Sequence, residues 1–410
     1  SYKTIKERCF FIMKKVLTLF FSIMFVIGTD TFIISPLLPT LRELYHVSTD
    51  ISGWMVSSYA LGYAIFALIA GPISDGLNRK KVMIYGMIAF SVSTFLCGLA
   101  PNFWTMVIFR FIAGVSAAFV TPQVWASIPM LVPPQKILKS MGVATAGLSV
   151  SQMLGLPIGG YLASYNWSIP FFAISGCALI LVFAIGFTLP SIQPNTSVTN
   201  QQSILNRYKS LFSEPKAAKV FFAYFLFQTG NFAAFSFFGT WLSDDFQLNV
   251  TQVGIAMLIL GLGNTIGSFW GNIIIKKLGQ SRSLFYGIIL LAAFYVFLPY
   301  STSITVVQIN FFLMFFLGGL IFPLIMSLLQ SLSTTARGTI AALSNTAMYA
   351  GTTIGASLGG FLYAYYGGFQ AISIFTTIMF LLSAFTFKVS GILSNSTQKP
   401  QNVKAVKSNA

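Results

Sequence analysis

Charged side chains are scarce in this sequence, and acidic ones are the scarcest. Charged residues make up 8% of the 410 positions and only 8 residues are Asp or Glu, whereas 55% are hydrophobic. A soluble domain carries roughly 25% charged residues. So few charges cannot cover a water-facing surface, which excludes a soluble enzyme and a nucleic-acid-binding protein.

Cysteine and histidine are also rare. Cys9, Cys97 and Cys177 lie far apart with no CxxC spacing, and His46 is the single histidine. Such a set defines neither a disulfide framework nor a zinc site. We therefore expect no metal and no cofactor.

Long apolar segments dominate the chain, and each is close to the roughly 20 residues that a transmembrane helix needs. A polar linker at 191–217 divides them six and six. The sequence predicts an all-α integral membrane protein with six-helix lobes at 16–190 and 218–388 and tails at 1–15 and 389–410. The twelve predicted spans are 16–38, 52–72, 82–100, 104–126, 140–163, 169–190, 218–241, 252–274, 283–300, 305–328, 339–364 and 369–388.

Basic residues predict the orientation of these spans. With the N-terminus placed inside, 22 of the 24 Lys and Arg residues fall in inner loops or tails or at the inner ends of spans, whereas Arg42 lies outside and Arg110 in the interior of a span. This asymmetry follows the positive-inside rule. We expect a multi-pass protein of the bacterial plasma membrane with both termini in the cytoplasm. The first span is too long for the apolar region of a signal peptide, so we expect no cleaved leader.

The two halves of the sequence repeat each other. The segment GLPIGGYL at 155–162 matches GASLGGFL at 355–362, an offset of 200, and Gly71 and Gly271 each precede a basic loop. A duplication of six helices with an inner linker keeps the topology of each half. The sequence therefore predicts two parallel repeats.

Only one acidic residue, Asp30, falls inside a predicted span. A charge at the bilayer centre costs about 2.5–3.5 kcal/mol on insertion scales, so we expect Asp30 to be functional. At about 1.5 Å per residue, Asp30 lies roughly 12 Å and Arg110 roughly 9 Å from the outer ends of their helices. We expect the two side chains to face a central cavity and to influence each other.

Two interpretations of this charge pair remain open. It is either a permanent ion pair that holds two helices together, or a site at which Asp30 gains and loses a proton. A low dielectric favours the neutral acid and a nearby arginine favours the carboxylate. A cavity that opens and closes would change that balance and move a proton across the membrane.

Three sequence motifs are specific enough to compare with known families. GPISDGLNRKK, residues 71–81, forms the loop between the second and third spans, and FRFIAGVSAA, residues 109–118, contains Arg110. GLSVSQMLGLPIGGYL, residues 147–162, places Pro157 among glycines that allow close helix contact. In the first span, Asp30 precedes a Pro-x-x-Pro pair.

These motifs resemble those of the major facilitator superfamily, specifically its twelve-span drug:proton antiporter branch. The resemblance covers essentially the whole chain and implies the two-lobed major facilitator fold. It implies that the 71–81 loop latches the two lobes in the outward-facing state, with its acid near Arg337, although Asn78 replaces the usual second glycine. The latch residues would be Gly71, Asp75, Arg79 and Lys80.

The same resemblance implies roles for the other two motifs. Arg110 corresponds to an arginine implicated in proton transfer, which makes Asp30 and Arg110 the candidate proton-coupling pair. The motif of the fifth span marks exporters rather than uptake systems in the family. Its residues here are Gly147, Gly155, Pro157, Gly159 and Gly160.

Substrate is expected near the midplane between the two lobes, and polar or aromatic side chains at that depth are candidates to bind it. Each is also a plausible helix–helix contact or lipid-facing residue. The abundance of Phe and Met favours an apolar or amphipathic cargo. The candidates are Tyr59, Tyr63, Gln123, Gln152, Gln228, Asn231, Phe232, Asn264, Asn345 and Tyr349.

The sequence thus predicts a proton-coupled exporter of small organic molecules rather than an enzyme. A narrow-specificity exporter of a sugar, nucleoside or other metabolite is the alternative, and a non-transporting or lipid-handling membrane protein is the rival from another class. The expected partners are a small-molecule substrate, protons and membrane lipid, without nucleic acid. The resemblance implies a monomer.

Overall fold

The first half of the chain forms a bundle of six long helices. A computed structural model describes residues 2–75, 77–133, 136–192, 204–332 and 337–393. The fifth helix, α5, consists of Ile137–Val150, a π-helical turn at Ser151–Gly155, and Leu156–Tyr165. The other five are α1 (Tyr2–Leu44), α2 (Trp54–Asp75), α3 (Arg79–Gly98), α4 (Phe103–Leu131) and α6 (Ile169–Thr188).

The second half repeats this arrangement after the linker. A short linker helix, Ile204–Phe212, precedes the second bundle. The six helices that follow are α7 (Pro215–Phe246), α8 (Val250–Leu278), α9 (Gln280–Phe297), α10 (Ile304–Gln330), α11 (Arg337–Tyr365) and α12 (Phe369–Val389). The described residues contain no strand, and the predicted all-α membrane class is confirmed.

The twelve helices differ in how apolar they are. Within the described ranges, eleven are long and apolar enough to cross a membrane. The twelfth, α11, has 29 residues but is rich in Gly, Ser and Thr. It packs between α2 and α7 and therefore meets helices rather than lipid over much of its surface.

Polar caps end the helices where the chain leaves the membrane. The side chain of Asn102 accepts a hydrogen bond from the Thr105 N–H at 3.0 Å. Asn249 and Gln252 form a reciprocal capping box at the start of α8. Between α11 and α12, Gly368 has a φ of +65°, a conformation that favours glycine. These caps satisfy backbone groups at the helix ends.

Close helix contacts recur at an offset of 200 and confirm the predicted repeat. Gly155 of α5 lies against Thr29 of α1, and Gly355 of α11 lies against Thr229 of α7. Residues 160 and 360, both glycines, meet residues 250 and 50 of the opposite lobe in the same way. Because glycine has no side chain, each contact brings a backbone against its neighbour. Equivalent helices of the two lobes therefore pack through equivalent glycines.

Candidate functional site

The buried core of the first lobe contains an ion pair between Asp30 of α1 and Arg110 of α4. Arg110 Nη1 lies 2.8 Å from Asp30 Oδ2, and both side chains are 0% exposed. Arg110 also donates from Nη2 to the Asp30 carbonyl at 3.3 Å and from Nε to the Met55 carbonyl at 3.4 Å. Its Cζ lies 4.4 Å from the ring centroid of Tyr59. One arginine therefore joins α1, α2 and α4.

One oxygen of the Asp30 carboxylate takes no part in this pair. Oδ1 is buried and has no hydrogen-bond partner among the described residues. A buried polar atom without a partner costs about 1–3 kcal/mol. A proton could bind Oδ1 without displacing an existing hydrogen bond, so the pair offers a position for a proton.

The expectation that Asp30 and Arg110 face a central cavity is wrong for this conformation. Both lie inside the first lobe, and the lining of the space between the lobes begins at Thr31, the next residue of α1. Successive helical residues point about 100° apart, so Thr31 turns toward the second lobe while Asp30 turns inward. Thr31 Oγ1 lies 3.1 Å from Tyr59 Oη, and these two side chains separate the ion pair from the cavity.

The central cavity is very small in this conformation. Its volume is about 10 Å³, roughly the space that one water needs. The described lining is aromatic, aliphatic and hydroxyl-bearing, and it carries no charged side chain. It consists of Thr31, Phe32, Ser35, Val56, Tyr59, Ala60, Phe232, Phe235, Ser236, Tyr349 and Thr352.

Three of the predicted substrate residues line this cavity. They are Tyr59, Phe232 and Tyr349. A fourth, Tyr63, stacks on Tyr349 with 3.8 Å between ring centroids and 21° between ring planes. The structure therefore brings the predicted aromatic residues of α2, α7 and α11 together at one place.

The predicted amide side chains mostly bond to other side chains. Asn264 of α8 donates to Gln152 of α5 at 2.9 Å, which joins the two lobes. Gln228 donates to Tyr224 at 2.8 Å, and its Oε1 is buried with no partner among the described residues. None of these amides belongs to the cavity lining.

Three further predicted residues lie away from the cavity lining. Gln123 Oε1 accepts a hydrogen bond from Arg79 Nη1 at 2.9 Å, within the first lobe. Asn231 and Asn345 are partly exposed and do not line this cavity. Their assignment to substrate stays a prediction.

Sequence reasoning missed most of the small polar lining. Thr31, Ser35, Ser236 and Thr352 are common residue types that carry no individual signal. The repeat offset of 200 was the available signal, because Phe32 and Phe232 are equivalent under it and both line the cavity. Applying the offset to every candidate would have added Thr31, Phe32 and Thr352, but not Ser35 or Ser236.

Three helix pairs close the end of the molecule at which α1 ends and α2 begins, which the charge pattern predicts to be the outer end. Ser35 of α1 donates to the Phe235 carbonyl of α7 at 2.5 Å. Ser57 of α2 donates to the Thr353 carbonyl of α11 at 2.8 Å. Gly160 of α5 lies against α8 at residue 250. The lobes therefore meet along the outer half of their interface.

An ion pair across the outer end was not predicted. Arg42 Nη2 of α1 lies 3.2 Å from Asp244 Oδ1 of α7, and Tyr363 of α11 donates to Asp244 at 3.0 Å. Arg42 also donates to Thr49 at 3.0 Å. The signal in the sequence was that Arg42 is the only basic residue predicted on the outer side.

The α5 motif forms contacts with two neighbours. Gly147, Gly155 and Gly159 lie against α1, whereas Gly160 lies against α8 and Pro157 lies beside Gly254 of the same helix. Proline lacks the N–H that would bond four residues back, and the π-helical turn ends two residues before it. The motif thus links close packing within the first lobe to contact with the second.

The predicted latch lies partly outside the described residues. The side chains of Gly71 and Asp75, and of Arg337 at the start of α11, belong to the part of the chain that the structure does not describe. Within the described part, Arg79 contacts α4 as noted, and Lys80 Nζ donates to the Gly186 carbonyl of α6 at 2.7 Å. Both contacts lie within the first lobe, and the latch stays a prediction.

The second lobe has no copy of the central ion pair. At the offset of 200, Asp30 corresponds to Gly230 and Arg110 to Asn310. Thr376 of α12 donates to the Gly230 carbonyl at 3.0 Å, so this position serves helix packing. The two lobes share a fold but differ in charge at the equivalent site.

Comparison with known proteins identifies the family. The model of the Major Facilitator Superfamily matches residues 20–219 and again residues 220–408. The chain is 60% identical to "Uncharacterized MFS-type transporter YceJ" of Bacillus subtilis (strain 168), covering 89% of this chain and 93% of that protein. It is 27% identical to "Multidrug resistance protein 2" of the same organism, covering 85% and 89%.

Solved structures agree with this assignment at the level of the fold. A bacterial homolog to the human lysosomal transporter Spinster, in an inward-facing and unoccupied conformation, matches with a TM-score of 0.76 and 15% identity over 95% of this chain and 99% of that one. A D-xylose–proton symporter matches with a TM-score of 0.75 and 14% identity over 91% and 96%. With both halves matching the family model in turn, this multi-pass membrane protein belongs to the major facilitator superfamily of transporters.

Proposed function

We propose that this protein exports small apolar or amphipathic organic molecules in exchange for protons by alternating access. The observation that carries the proposal is the buried Asp30–Arg110 pair with its unpartnered carboxylate oxygen, one residue from the cavity lining. Asp30 is the proton-coupling carboxylate, and Arg110 stabilises its charged form.

Protonation of Asp30 changes the wall of the cavity through Tyr59. A neutral Asp30 loses its charge–charge attraction to Arg110, whose guanidinium covers the Tyr59 ring at 4.4 Å. Breaking a buried ion pair costs about 3–5 kcal/mol, and inverting a 1:99 equilibrium needs about 5.5 kcal/mol. Binding of one proton can therefore supply most of the free energy needed to shift the protein between its outer-closed and outer-open conformations.

In this route, proton and cargo do not compete directly for the Asp30 carboxylate. Asp30 is fully buried in the outer-closed conformation, so cargo in the cavity meets Thr31 and Tyr59 instead. The proton binds Asp30 inside the first lobe. The cargo contacts Thr31 and Tyr59, which lie between Asp30 and the cavity.

The cavity lining supports an uncharged or weakly cationic cargo with apolar surface. Its phenylalanines and tyrosines offer flat faces, and its described side chains bear no charge. A relative named for multidrug resistance agrees with broad specificity. The hydroxyls of Thr31, Ser35, Ser236 and Thr352 favour the second candidate, a narrow-specificity exporter of a sugar, nucleoside or other metabolite.

The positive-inside pattern supports cytoplasmic termini in the bacterial plasma membrane. The 71–81 loop acts as the latch and the α5 motif as the export signature. The protein works as a monomer in lipid, with cargo and protons as its ligands.

Proteoliposomes test the coupling directly. We expect Asp30→Asn to abolish cargo-dependent proton flux while cargo binding persists. Glu43→Gln is the matched control, because Glu43 is an exposed acid on the same helix. Asp30→Glu, which keeps a titrating group, is expected to retain part of the flux. Proton-coupled export that survives Asp30→Asn unchanged would overturn the assignment, and a panel of drugs and sugars separates the two candidate cargo classes.

A further inference from the structure

The central linker contacts both helices that flank the 71–81 loop. At its start, the Ile192 carbonyl accepts a hydrogen bond from the Arg79 N–H at 3.2 Å. Asn78 Nδ2 donates to Ser191 Oγ at 2.6 Å. Further along, Tyr208 of the linker helix donates to the Leu68 carbonyl of α2 at 3.2 Å. The linker thus holds the end of α2 and the start of α3.

The Leu68 carbonyl can accept this bond because of a proline four residues later. In an α-helix the carbonyl of residue 68 pairs with the N–H of residue 72. Residue 72 is proline, which has no N–H. Backbone groups left unpaired at the membrane are costly. The Tyr208 hydroxyl supplies the donor that the helix itself lacks.

The other end of the linker helix is attached to the second lobe. Leu211 is buried, and the ring centroid of Phe212 lies 6.2 Å from that of Phe221 in α7. The chain enters α7 at Pro215, with only two residues between it and the end of the linker helix. The hydrogen bond from Tyr208 to Leu68 therefore connects the second lobe to the first at the inner end.

We infer that the linker helix Ile204–Phe212 is a strap that stabilises the outer-closed conformation, with Tyr208 as a positioning residue for alternating access. The inference rests on the transport cycle proposed above. When the lobes rock about the central site, closed outer ends open and the inner ends of α2 and α7 change their separation. A strap attached to both inner ends favours the conformation in which its hydrogen bond is made.

Distance measurements at the opposite end of the molecule test the strap. Spin labels at Glu43 of α1 and Gln247 after α7, both exposed, report opening of the outer ends in a background without native cysteines. Tyr208→Phe removes only the hydroxyl. We expect it to raise the ratio of outer-open to outer-closed molecules on the order of 2- to 10-fold, the shift that one hydrogen bond supplies. Tyr286→Phe, an exposed tyrosine of α9, is the control and is expected to change nothing.

A second background separates this hydrogen bond from general damage to the linker. Pro72→Ala provides an N–H to the Leu68 carbonyl, so Tyr208→Phe is expected to have a much smaller effect there. A purely structural role for Tyr208 would give the same effect in both backgrounds, since the two changes would then be additive.

Two results would overturn the inference. One is an unchanged distance distribution in folded Tyr208→Phe protein, and the other is an equal effect with and without Pro72→Ala. The measurements use no cargo and a constant pH, so they do not depend on proton coupling by Asp30. Proton coupling that survives Asp30→Asn would contradict the proposed function but not the strap. An unchanged distance distribution in Tyr208→Phe would contradict the strap but not the role of Asp30.

Discussion

Arg42 of α1 and Asp244 of α7 form an ion pair that spans the two lobes at the outer end, with Nη2 and Oδ1 3.2 Å apart. The pair lies at the edge of the outer seam, by which we mean the contacts that Ser35, Ser57 and Gly160 make with the backbone of the opposite lobe. Its side chains are 20% and 33% exposed, so water and salt screen it. The seam therefore depends on close packing first and on this charge pair second.

Removing this ion pair should open the outer end slightly. An exposed pair contributes about 0–1 kcal/mol, so we expect Arg42→Gln to raise the outer-open fraction by no more than about fivefold. High salt should give a similar shift in the wild type and none in the variant. Spin-label distances across the outer end measure both, and Arg282→Gln in an exposed inner position is the control. A shift of the same size for the two variants would contradict the prediction.

Glycines that hold backbones together should tolerate no side chain. A Cβ at Gly114 of α4 would overlap the Tyr59 carbonyl of α2, whereas a Cβ at Gly176 of α6 would meet nothing within 4 Å. Overpacking costs about 1–3 kcal/mol. We expect Gly114→Ala to lower the Tm in detergent and Gly176→Ala to leave it unchanged or raise it. Equal Tm values for the two variants would show that α2 and α4 are not in tight contact.

Stability should depend on the balance of charge between Asp30 and Arg110 more than on either charge alone. Arg110→Gln leaves Asp30 buried without its partner, which costs about 3–5 kcal/mol if the carboxylate stays charged. We expect Asp30 to remain protonated instead, so that coupling is lost and stability falls most at high pH. The double variant Asp30→Asn/Arg110→Gln should recover stability but not proton flux.

The second lobe supplies the control for this prediction. Asn310→Ala changes the residue equivalent to Arg110 at the offset of 200, where no ion pair exists. We expect proton flux and the pH dependence of stability to match the wild type. Loss of coupling in Asn310→Ala would show that both lobes carry protons, contrary to the asymmetry of Asp30 and Gly230.

The stacked tyrosines should set cargo affinity. Tyr349 stacks on Tyr63 at 3.8 Å and lines the cavity, and an aromatic pair contributes about 0.5–1.5 kcal/mol beyond its buried area. We expect Tyr349→Ala to raise the KM for export by about 3- to 10-fold, and Tyr349→Phe, which keeps the stack, to stay near the wild type. Tyr366→Ala is the control, because Tyr366 is exposed at the outer end of α11. An unchanged KM for Tyr349→Ala would place cargo elsewhere.

The amino-acid sequence by itself determined the membrane class, the repeat and the pairing of Asp30 with Arg110. Few charges and long apolar runs leave no alternative to a membrane bundle, and a lone buried acid needs a partner at similar depth. The glycines at 155 and 355 made the repeat recognisable in the sequence, because close backbone contact excludes other residues at those positions.

Only the tertiary structure decided which way these side chains turn. Depth along a helix follows from counting residues, but rotation about its axis follows from packing against neighbours. Asp30 therefore lies inside the first lobe while Thr31, one residue later, lines the cavity. The Tyr208–Leu68 hydrogen bond and the Arg42–Asp244 pair join residues 140 and 202 positions apart, and the Ser57–Thr353 hydrogen bond at the closed outer end joins residues 296 positions apart. Local sequence patterns cannot specify such pairs, because each depends on how elements distant in sequence pack together.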